Sequence, residues 1–473
     1  MKTKFTIISF LFFLNNIFCQ TFPVSNIVLN GDPNRHINFV ILGDGYSSSE
    51  QTKFNSDAVV LTNYLFSQQP FSNYANYFNV YTINVVSTQS GINHPKMATD
   101  CRDVPNFNEP TLTNNPYLGS TFDYQDIHRL VVPTKFNVTS NVLATNFPNY
   151  DHVIILSNSI YYGGSGGAMA TTTLHPASKE ILVHELGHSF GDLADEYYAG
   201  DNSNSERINL TQNTNPATIK WKNWLNNPGI GIYQHAGTPT ALLWYRPTSN
   251  TCKMQNLGNP FCSVCKEAII EKIHSLVNPI VEFTPSNASV INSATNLLDF
   301  KLTKLMIPSP NTLSITWTLD GTDLPNTTQI QQIDQTNLTL GTHNLSAKVT
   351  DNTSLVNVNN HTTLHLNTVK WTINKTVLST NINAEEKSFS YNVYPNPSSN
   401  ELKIHIENPN ENTQLSVSIF SIEGKLVKNS TVNKTIPSDH EEVINISDLA
   451  NGTYIVQIKN DNIIQNHKII KQN

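Results

Sequence analysis

One stretch, VHELGHSFGDLADEY at residues 183–197, constrains the fold more than any other part of the chain. His184 and His188 are four residues apart, so on an α-helix they lie one turn apart on the same face, and both imidazoles can reach one ion. Glu185 projects about 100° around the helix from His184, where it can act on a water molecule without binding the ion. The apolar residues of KEILVHELGHSFGDL give this helix a buried side. The stretch therefore predicts a helix that carries one catalytic zinc ion, with Glu185 as the general base.

A third protein ligand must come from outside this helix, because two histidines provide only two corners of a tetrahedral site. We expect Gly191 to adopt the left-handed conformation that ends the helix and turns the chain back toward the ion. Asp195 is seven residues beyond His188, near enough for that short return, and the adjacent Glu196 competes with it. Glu267, on a later predicted helix, is a more distant alternative.

The first residues, MKTKFTIISFLFFLNNIFCQ, have the pattern of an export signal. Two lysines precede an apolar core over residues 7–14, which is too short to span a bilayer. We predict a signal peptide over 1–19, with cleavage after Cys19; a lipid-anchored Cys19 is the alternative, but bulky residues precede it. No later stretch is apolar enough for a transmembrane segment, and the net charge of −7, without a basic stripe, gives no indication of nucleic-acid binding.

Four cysteines remain after the signal: Cys101, Cys252, Cys262 and Cys265. An even number in an exported chain favours disulfides, with three connectivities that the sequence does not separate. The alternative is a four-cysteine zinc knot, because Cys262 and Cys265 have ligand spacing. That knot needs the distant Cys101 as its fourth member.

The pattern of apolar and turn residues along the chain predicts several domains. Residues 20–280 alternate strands with helices, including a helix over 262–277, and are predicted to form an α/β catalytic domain. Short alternating stretches separated by turns predict an all-β, immunoglobulin-like sandwich over 281–380. A linker over 381–390 and a further β-rich module over 391–473 complete the prediction.

The region 35–278 resembles the IgA-peptidase family of metallopeptidases, relatives of the metzincins. The shared motifs are ILGDGY (41–46), YGGSGG (162–167), the 183–197 stretch, CKM (252–254) and FCSVC (261–265). Most metzincins place the third ligand where this chain has Ala194, which cannot bind metal. The family resembled has one more residue, so the resemblance assigns this role to Asp195. We expect Glu196 to hydrogen-bond a ligand histidine, and Met254 resembles the methionine that forms a floor beneath the metal.

Residues 391–473 resemble the type A C-terminal sorting domain of the type IX secretion system of Bacteroidetes-type bacteria. The matching pieces are YPNP (394–397), GK (424–425), LANGTY (449–454) and KIIK (468–471). The resemblance implies that the secretion machinery is a partner. It also implies that the protein is secreted or attached to the outer surface of a Gram-negative cell.

Taken together, these features predict a secreted zinc endopeptidase that acts on extracellular proteins or peptides. The alternative, from another class, is an inactive adhesion or binding protein on a peptidase scaffold. Tyr197, Tyr198 and Tyr245 are candidates for a hydroxyl that stabilises an oxyanion. Residues 168–175 are a candidate edge strand for pairing with an extended peptide.

Overall fold

The structure is a computed structural model that describes residues 20–102, 109–200, 203–293, 295–376, 390–407, 415–432, 439–460 and 463–472. The predicted signal peptide and all but the last residue of the predicted linker lie outside these ranges. The chain divides into two compact units, Met1–Leu378 and Ser379–Asn473. Within the described ranges, no helix combines the length and the apolar character that a membrane crossing requires.

The first unit begins with a mixed α/β domain. Its strands and helices are β1 (Val24–Val28), β2 (Ile37–Asp44), α1 (Gln51–Leu65), β3 (Phe78–Ile83), β4 (Ser120–Thr121), β5 (Val132–Pro133), α2 (Phe136–Asn146), β6 (His152–Ser157), β7 (Gly164–Gly166), β8 (Ala170–Thr172), α3 (Ser178–Ser189), β9 (Tyr233–Gln234), β10 (Tyr245–Arg246) and α4 (Ser263–Leu276). The alternation of strands and helices predicted from the sequence is confirmed, and the helix predicted over 262–277 is present as α4.

A six-stranded sheet in the order β1-β3-β2-β6-β8-β7 forms the centre of this domain. The four inner strands run parallel, whereas β1 and β7 are antiparallel to their neighbours. Every residue of β2, β3 and β6 is buried, because α1, α3 and α4 cover one face of the sheet and α2 covers the other. Such continuous apolar runs are typical of parallel strands enclosed on both faces.

The edge of the sheet near α3 differs from the prediction. The segment predicted as the edge strand, 168–175, contains β8, which lies between β6 and β7. The edge strand is β7, formed by the glycine-rich segment that precedes it. Its small residues are required because an added Cβ at Gly164 would lie 2.5 Å from Ile181 of α3.

The described residues of the first unit after α4 form β-strands, one short α-helix and a 3-10 turn at Gln335–Asn337. The strands and the α-helix are β11 (Ile280–Thr284), β12 (Leu297–Leu305), β13 (Leu313–Leu319), β14 (Thr322–Asp323), β15 (Ile330–Asp334), β16 (Gly341–Asp351), α5 (His361–Leu364) and β17 (Asn367–Lys375). They form two antiparallel sheets, β11-β12-β15 and β14-β13-β16-β17. Trp317 and Trp371 stack at the centre of the shared core, 5.8 Å between ring centroids.

The second unit is also antiparallel. Its strands are β18 (Ser390–Tyr394), β19 (Glu401–Glu407), β20 (Leu415–Ser421), β21 (Leu426–Val432), β22 (Asp439–Asn445), β23 (Gly452–Asn460) and β24 (Ile463–Lys471). They form the sheets β18-β19-β22 and β21-β20-β23-β24, with an aliphatic core between them. A mixed α/β domain followed by antiparallel β domains agrees with the predicted fold class at this level.

Candidate metal centre

Helix α3 presents both histidines of the motif with a fixed orientation. The Nδ1 of His184 donates to the carbonyl oxygen of Lys253 (3.0 Å), and the Nδ1 of His188 donates to that of Leu193 (2.7 Å). A carbonyl oxygen only accepts hydrogen bonds, so these contacts place the proton on Nδ1 and leave each Nε2 with its lone pair. The two Nε2 atoms face each other at 3.1 Å, as required for binding one ion.

Asp195 provides a third potential ligand beside the two histidines. Its Oδ1 lies 3.2 Å from the Nε2 of His184 and 3.2 Å from the Nε2 of His188. This oxygen is buried and has no hydrogen-bond partner of acceptable geometry. Ligand atoms at about 2.05 Å from a tetrahedral zinc ion are separated by about 3.3 Å. The spacing and chemistry of the three groups therefore fit a zinc ion. A cation bound there would also give the Oδ1 of Asp195 the partner that it otherwise lacks.

The electrostatics of the metal-free site also favour positive charge. Burial lowers the pKa of His188, but Asp195 and then Glu185 raise it, and the net result is a pKa of about 9. Burial raises the pKa of Asp195, but the two histidines outweigh it and hold this pKa well below its ordinary value. A bound cation replaces the proton that this pair otherwise shares.

The turn that returns the chain to the metal differs from the prediction at one residue. Asp192, not Gly191, is left-handed, with φ 52°. The N–H groups of Asp192 and Leu193 donate to the carbonyl oxygens of His188 (3.1 Å) and Gly187 (3.0 Å). The bond from the N–H of left-handed Asp192 to the carbonyl four residues earlier is that of the αL motif, with Asp192 in the position that glycine usually occupies.

Gly191 has a different role. An added Cβ there would lie 2.8 Å from the carbonyl oxygen of Gly187 and 3.0 Å from Ile269 of α4. Glycine is therefore required for the close packing of the end of α3 on α4. The predicted left-handed conformation of Gly191 was wrong, although the predicted return of the chain to the histidines is present.

Glu196 lies on the opposite side of the chain from Asp195. Its backbone N–H donates to the carbonyl oxygen of Met254 (2.8 Å), and its carboxylate accepts from Asn209 (3.2 Å) and Thr248 (2.9 Å). It is fully buried and does not hydrogen-bond either histidine in the described structure. The expectation that Glu196 supports a ligand histidine was therefore wrong.

Met254 lies directly beneath the motif. It is fully buried, and an added Cβ at Gly187, between the two histidines, would lie 2.5 Å from its sulfur. The preceding residue, Lys253, supplies the carbonyl oxygen that orients His184. The turn around Met254 thus contacts the underside of the helix and orients one histidine ring.

Glu185 lies under the edge strand. An added Cβ at Gly166 would lie 2.9 Å from its Oε2, and one at Gly164 would lie 3.4 Å from its Oε1. Burial raises the pKa of Glu185, although His184 and His188 oppose the shift. A carboxylate with a raised pKa is a better proton acceptor near neutral pH.

A cleft of ≈ 650 Å³ opens above these residues. Arg129, Tyr162 and Tyr197 line it together with β7 and the three converging groups. The Tyr197 ring lies 6.2 Å from the His184 ring, and Arg129 donates to the Tyr197 hydroxyl at 3.4 Å. Burial and the nearby Asp195 raise the pKa of Tyr197, so its hydroxyl remains a hydrogen-bond donor.

Comparison with known families agrees with this geometry. Residues 26–239 match the family described as IgA Peptidase M64, and residues 392–472 match the secretion system C-terminal sorting domain. The chain contains an M64 peptidase domain. The match over residues 26–239 implies a metallopeptidase domain. The sorting domain makes it a type IX secretion substrate, secreted or held at the outer surface of a Bacteroidetes-type cell.

Comparisons with individual proteins add little. No curated protein matches the chain significantly. Among solved structures, dimeric latent PorU from Porphyromonas gingivalis is 16% identical, covering 34% of this chain and 16% of that chain, with a TM-score of 0.16. The Bacteroides ovatus glucan-utilisation protein SGBP-B is 14% identical, covering 41% and 47%, with a TM-score of 0.17. Similarity this low supports no functional argument, and the chain spans less than half of either protein.

Three other predicted residues do not line this cleft. Glu267, the alternative ligand, accepts from the indole N–H of Trp224 (2.9 Å) and from the backbone N–H of Asn357. It therefore connects α4 to the β domain and does not join the histidines. Of the three candidate tyrosines, Tyr197 lines the cleft, whereas Tyr198 and Tyr245 are not among its lining residues.

The four cysteines are free thiols in the structure, so the expected disulfides are not observed. Cys101 lies 3.2 Å from the Nδ1 of His128, in a separate polar cluster. The other three share one pocket with Glu196, so the four-cysteine knot that required Cys101 is not formed either. Arg129 could not be predicted as a cleft residue, because a single basic residue in a loop has no spacing pattern that relates it to the motif.

Proposed function

We propose that this protein is an exported, metzincin-like zinc endopeptidase that hydrolyses extracellular proteins. The observation that carries the proposal is the convergence of His184, His188 and Asp195 on one point in an open cleft, 3.1 to 3.2 Å apart. In this proposal residues 20–280 form the catalytic domain, residues 281–380 an immunoglobulin-like sandwich, and residues 391–473 the export domain.

His184, His188 and Asp195 hold one zinc ion, and Met254 forms the floor beneath them. A zinc ion bound there supplies Lewis acidity, which polarises a carbonyl group and makes a water molecule a stronger acid. Glu185 accepts the proton of the attacking water and then donates it to the leaving nitrogen. Its position beneath β7 and its raised pKa support this role.

The substrate is proposed to bind as an extended strand along β7. The N–H of Gly164 donates to Arg129 O (3.1 Å), and its carbonyl accepts from Val131 N (3.2 Å). Because backbone groups of alternate residues point to the same side of a strand, Gly166 directs its N–H and C=O to the same side of β7 as Gly164, beyond the pairing of Gly164 with residues 129–131. Gly166 is exposed and lies directly above Glu185, so a peptide paired there passes over the reactive groups.

Tyr197 and Arg129 are proposed to stabilise the oxygen of the scissile carbonyl as it becomes negative. Both line the cleft beside His184, and their mutual hydrogen bond fixes the direction of the hydroxyl. Donors held in place before the reaction stabilise developing charge without reorganisation.

Digestion of casein or gelatin by the purified protein tests the proposal. A chelator should abolish proteolysis and added zinc should restore it. Glu185→Gln should retain zinc while kcat falls by about 10² to 10⁴, because the amide cannot accept the proton. Asp195→Ala should lose zinc and activity together. As a control, Glu267→Gln, remote from the cleft, should keep full zinc content and activity.

Full zinc content without proteolysis of either substrate would favour the inactive binding protein. Near-normal turnover by Glu185→Gln would exclude this residue as the base.

A further inference from the structure

A second group of potential metal ligands lies on the other side of the Asp195–Glu196 pair. Cys252, Cys262, Cys265 and Glu196 point into one pocket, and their ligand atoms all lie within 4.8 Å of one another. The four come from three places in the chain: the loop after α3, the turn around Met254, and the start of α4. No part of the catalytic proposal uses them.

The distances in this pocket suit a tetrahedral metal. The Sγ atoms of Cys252 and Cys265 are 3.6 Å apart, and the Sγ of Cys265 is 3.5 Å from the Oε1 of Glu196. Thiolates at about 2.3 Å from zinc in tetrahedral geometry are separated by about 3.8 Å. Cys262 and Cys265 also have the two-residue spacing common in zinc sites, with Cys262 at the N-cap of α4.

Burial makes the pocket difficult to explain without a cation. Glu196, Cys252 and Cys265 are fully buried, and Cys262 is 9% exposed. Asn209 and Thr248 hydrogen-bond the two carboxylate oxygens and fix their orientation, as residues around a metal ligand do. A buried carboxylate that no cationic side chain contacts directly in the described structure is otherwise costly to keep ionised.

A buried arginine provides an independent observation. Arg246 is 7% exposed, and its Nε and Nη1 atoms have no hydrogen-bond partner in the described structure. It lies close enough to interact electrostatically with Glu196 and Cys252, and Lys266 does so with Cys252 and Cys262. Three thiolates and a carboxylate around a divalent ion leave two negative charges, which these two cations balance.

A disulfide accounts less well for the same residues. Three cysteines share the pocket, so one pair always leaves an odd thiol. The fourth, Cys101, contacts His128 and lies near Asp123 in its own cluster. A metal ion uses all three thiols and the carboxylate.

We propose that Cys252, Cys262, Cys265 and Glu196 bind a second, structural zinc ion. Because four protein ligands leave no open position, this site has no catalytic role. Its function is to join the loop that carries Asp195, the turn that carries Met254, and α4. Zinc binding displaces the protons of the thiols, so the metal affinity of this site should fall as the pH is lowered.

Metal analysis of the full-length secreted protein tests the proposal. We expect about two zinc ions per chain in the wild type and about one in Cys265→Ser. The double variant His184→Ala/His188→Ala should also retain about one. Cys101→Ser is the matched control, because it removes a buried cysteine outside the pocket and should keep both ions.

Replacement of zinc by cobalt gives a readout that does not depend on activity. The histidine–aspartate site contains no sulfur, so a thiolate-to-cobalt charge-transfer band in the near ultraviolet reports only on the cysteine site. The band should persist in the double histidine variant and be absent from Cys265→Ser. If Cys265→Ser does not fold, the wild type and the double histidine variant still decide the question.

Two results would overturn the proposal. One is a disulfide among Cys252, Cys262 and Cys265, found by mass analysis of the untreated protein. The other is a cobalt-loaded wild type without a thiolate band. Neither result affects the catalytic proposal, which depends on the histidine site and is tested by proteolysis.

Discussion

Removal of the metal should make the stability of the M64 domain depend on pH through one pair of residues. In the metal-free protein, burial lowers the pKa of His188, but Asp195, with smaller contributions from Glu185 and the Leu193 carbonyl, raises it to about 9 from an ordinary value of 6.5. A metal ion bound in the proposed site would occupy the Nε2 lone pair, so this titration would not occur in the loaded protein. The perturbation is therefore chelation of the metal, followed by a change of pH.

The direction of the pKa shift of His188 determines how the stability of the metal-free protein changes with pH. A histidine whose folded-state pKa is raised contributes stability that is fully present below the unfolded value of 6.5 and is lost as the pH rises through about 9. Each pKa unit corresponds to about 1.4 kcal/mol, so the difference amounts to about 3 kcal/mol. The lowered pKa of Asp195 expresses the same interaction and is not counted again.

Urea unfolding followed by tryptophan fluorescence measures this effect. All five tryptophans lie before residue 379, so the signal reports on the first unit. The free energy of unfolding of the chelated wild type should fall by about 3 kcal/mol between pH 6.5 and about pH 10. Chelated Asp195→Asn is the control for all other titrating groups, including Glu185, and should show a much smaller fall.

The reasoning is refuted if chelated wild type and chelated Asp195→Asn lose the same stability over this range. It is also refuted if the zinc-loaded wild type shows the same fall as the chelated protein, because a ligated histidine cannot take up the proton.

Three further predictions concern the support of the site and export. Gly191→Ala should lower the free energy of unfolding by about 1 to 3 kcal/mol through overpacking against α4. Asp192→Gly should leave it unchanged or raise it by up to about 1 kcal/mol. Thermal melts in which Asp192→Gly is the less stable of the two variants would contradict these expectations. Met254→Ala should lower the free energy of unfolding by about 2 to 5 kcal/mol, because it leaves a cavity under Gly187, and it should weaken zinc binding. Met254→Leu is the milder control. Unchanged zinc affinity in the alanine variant would contradict the role of Met254 as a floor beneath the metal. Deletion of 391–473 should leave the protein in the periplasm, as followed by immunoblotting of cell fractions, while the purified remainder retains protease activity; normal delivery to the medium would contradict the export role.

The sequence alone determined the features that depend on local geometry. The helix with His184, Glu185 and His188 follows from a spacing of four residues and a repeat of 3.6 residues per turn, which places both histidines on one face regardless of the rest of the fold. The alternation of buried strands and amphipathic helices follows in the same way from hydrophobic periodicity. The seven-residue distance from His188 also placed an acidic residue within reach of the site.

Only the tertiary structure decided which acidic residue approaches the histidines. Asp195 and Glu196 are adjacent, and no local rule distinguishes them. The carbonyl of Met254 holds the N–H of Glu196, and Asn209 and Thr248 hold its carboxylate. These partners are between 13 and 58 residues away in sequence, so they act only when the chain is folded.

Contacts between distant segments also explain why the predictions for the cysteines and for the end of α3 differ from the structure. The count of four cysteines predicted pairs, but the fold separates Cys101 from the other three and brings those three to Glu196. Gly191 was the expected left-handed residue from its type, yet contact with Ile269 of α4 assigns it to close packing, and Asp192 takes the turn. Composition and spacing describe what a residue can do, whereas contacts between distant segments select which of these roles it has.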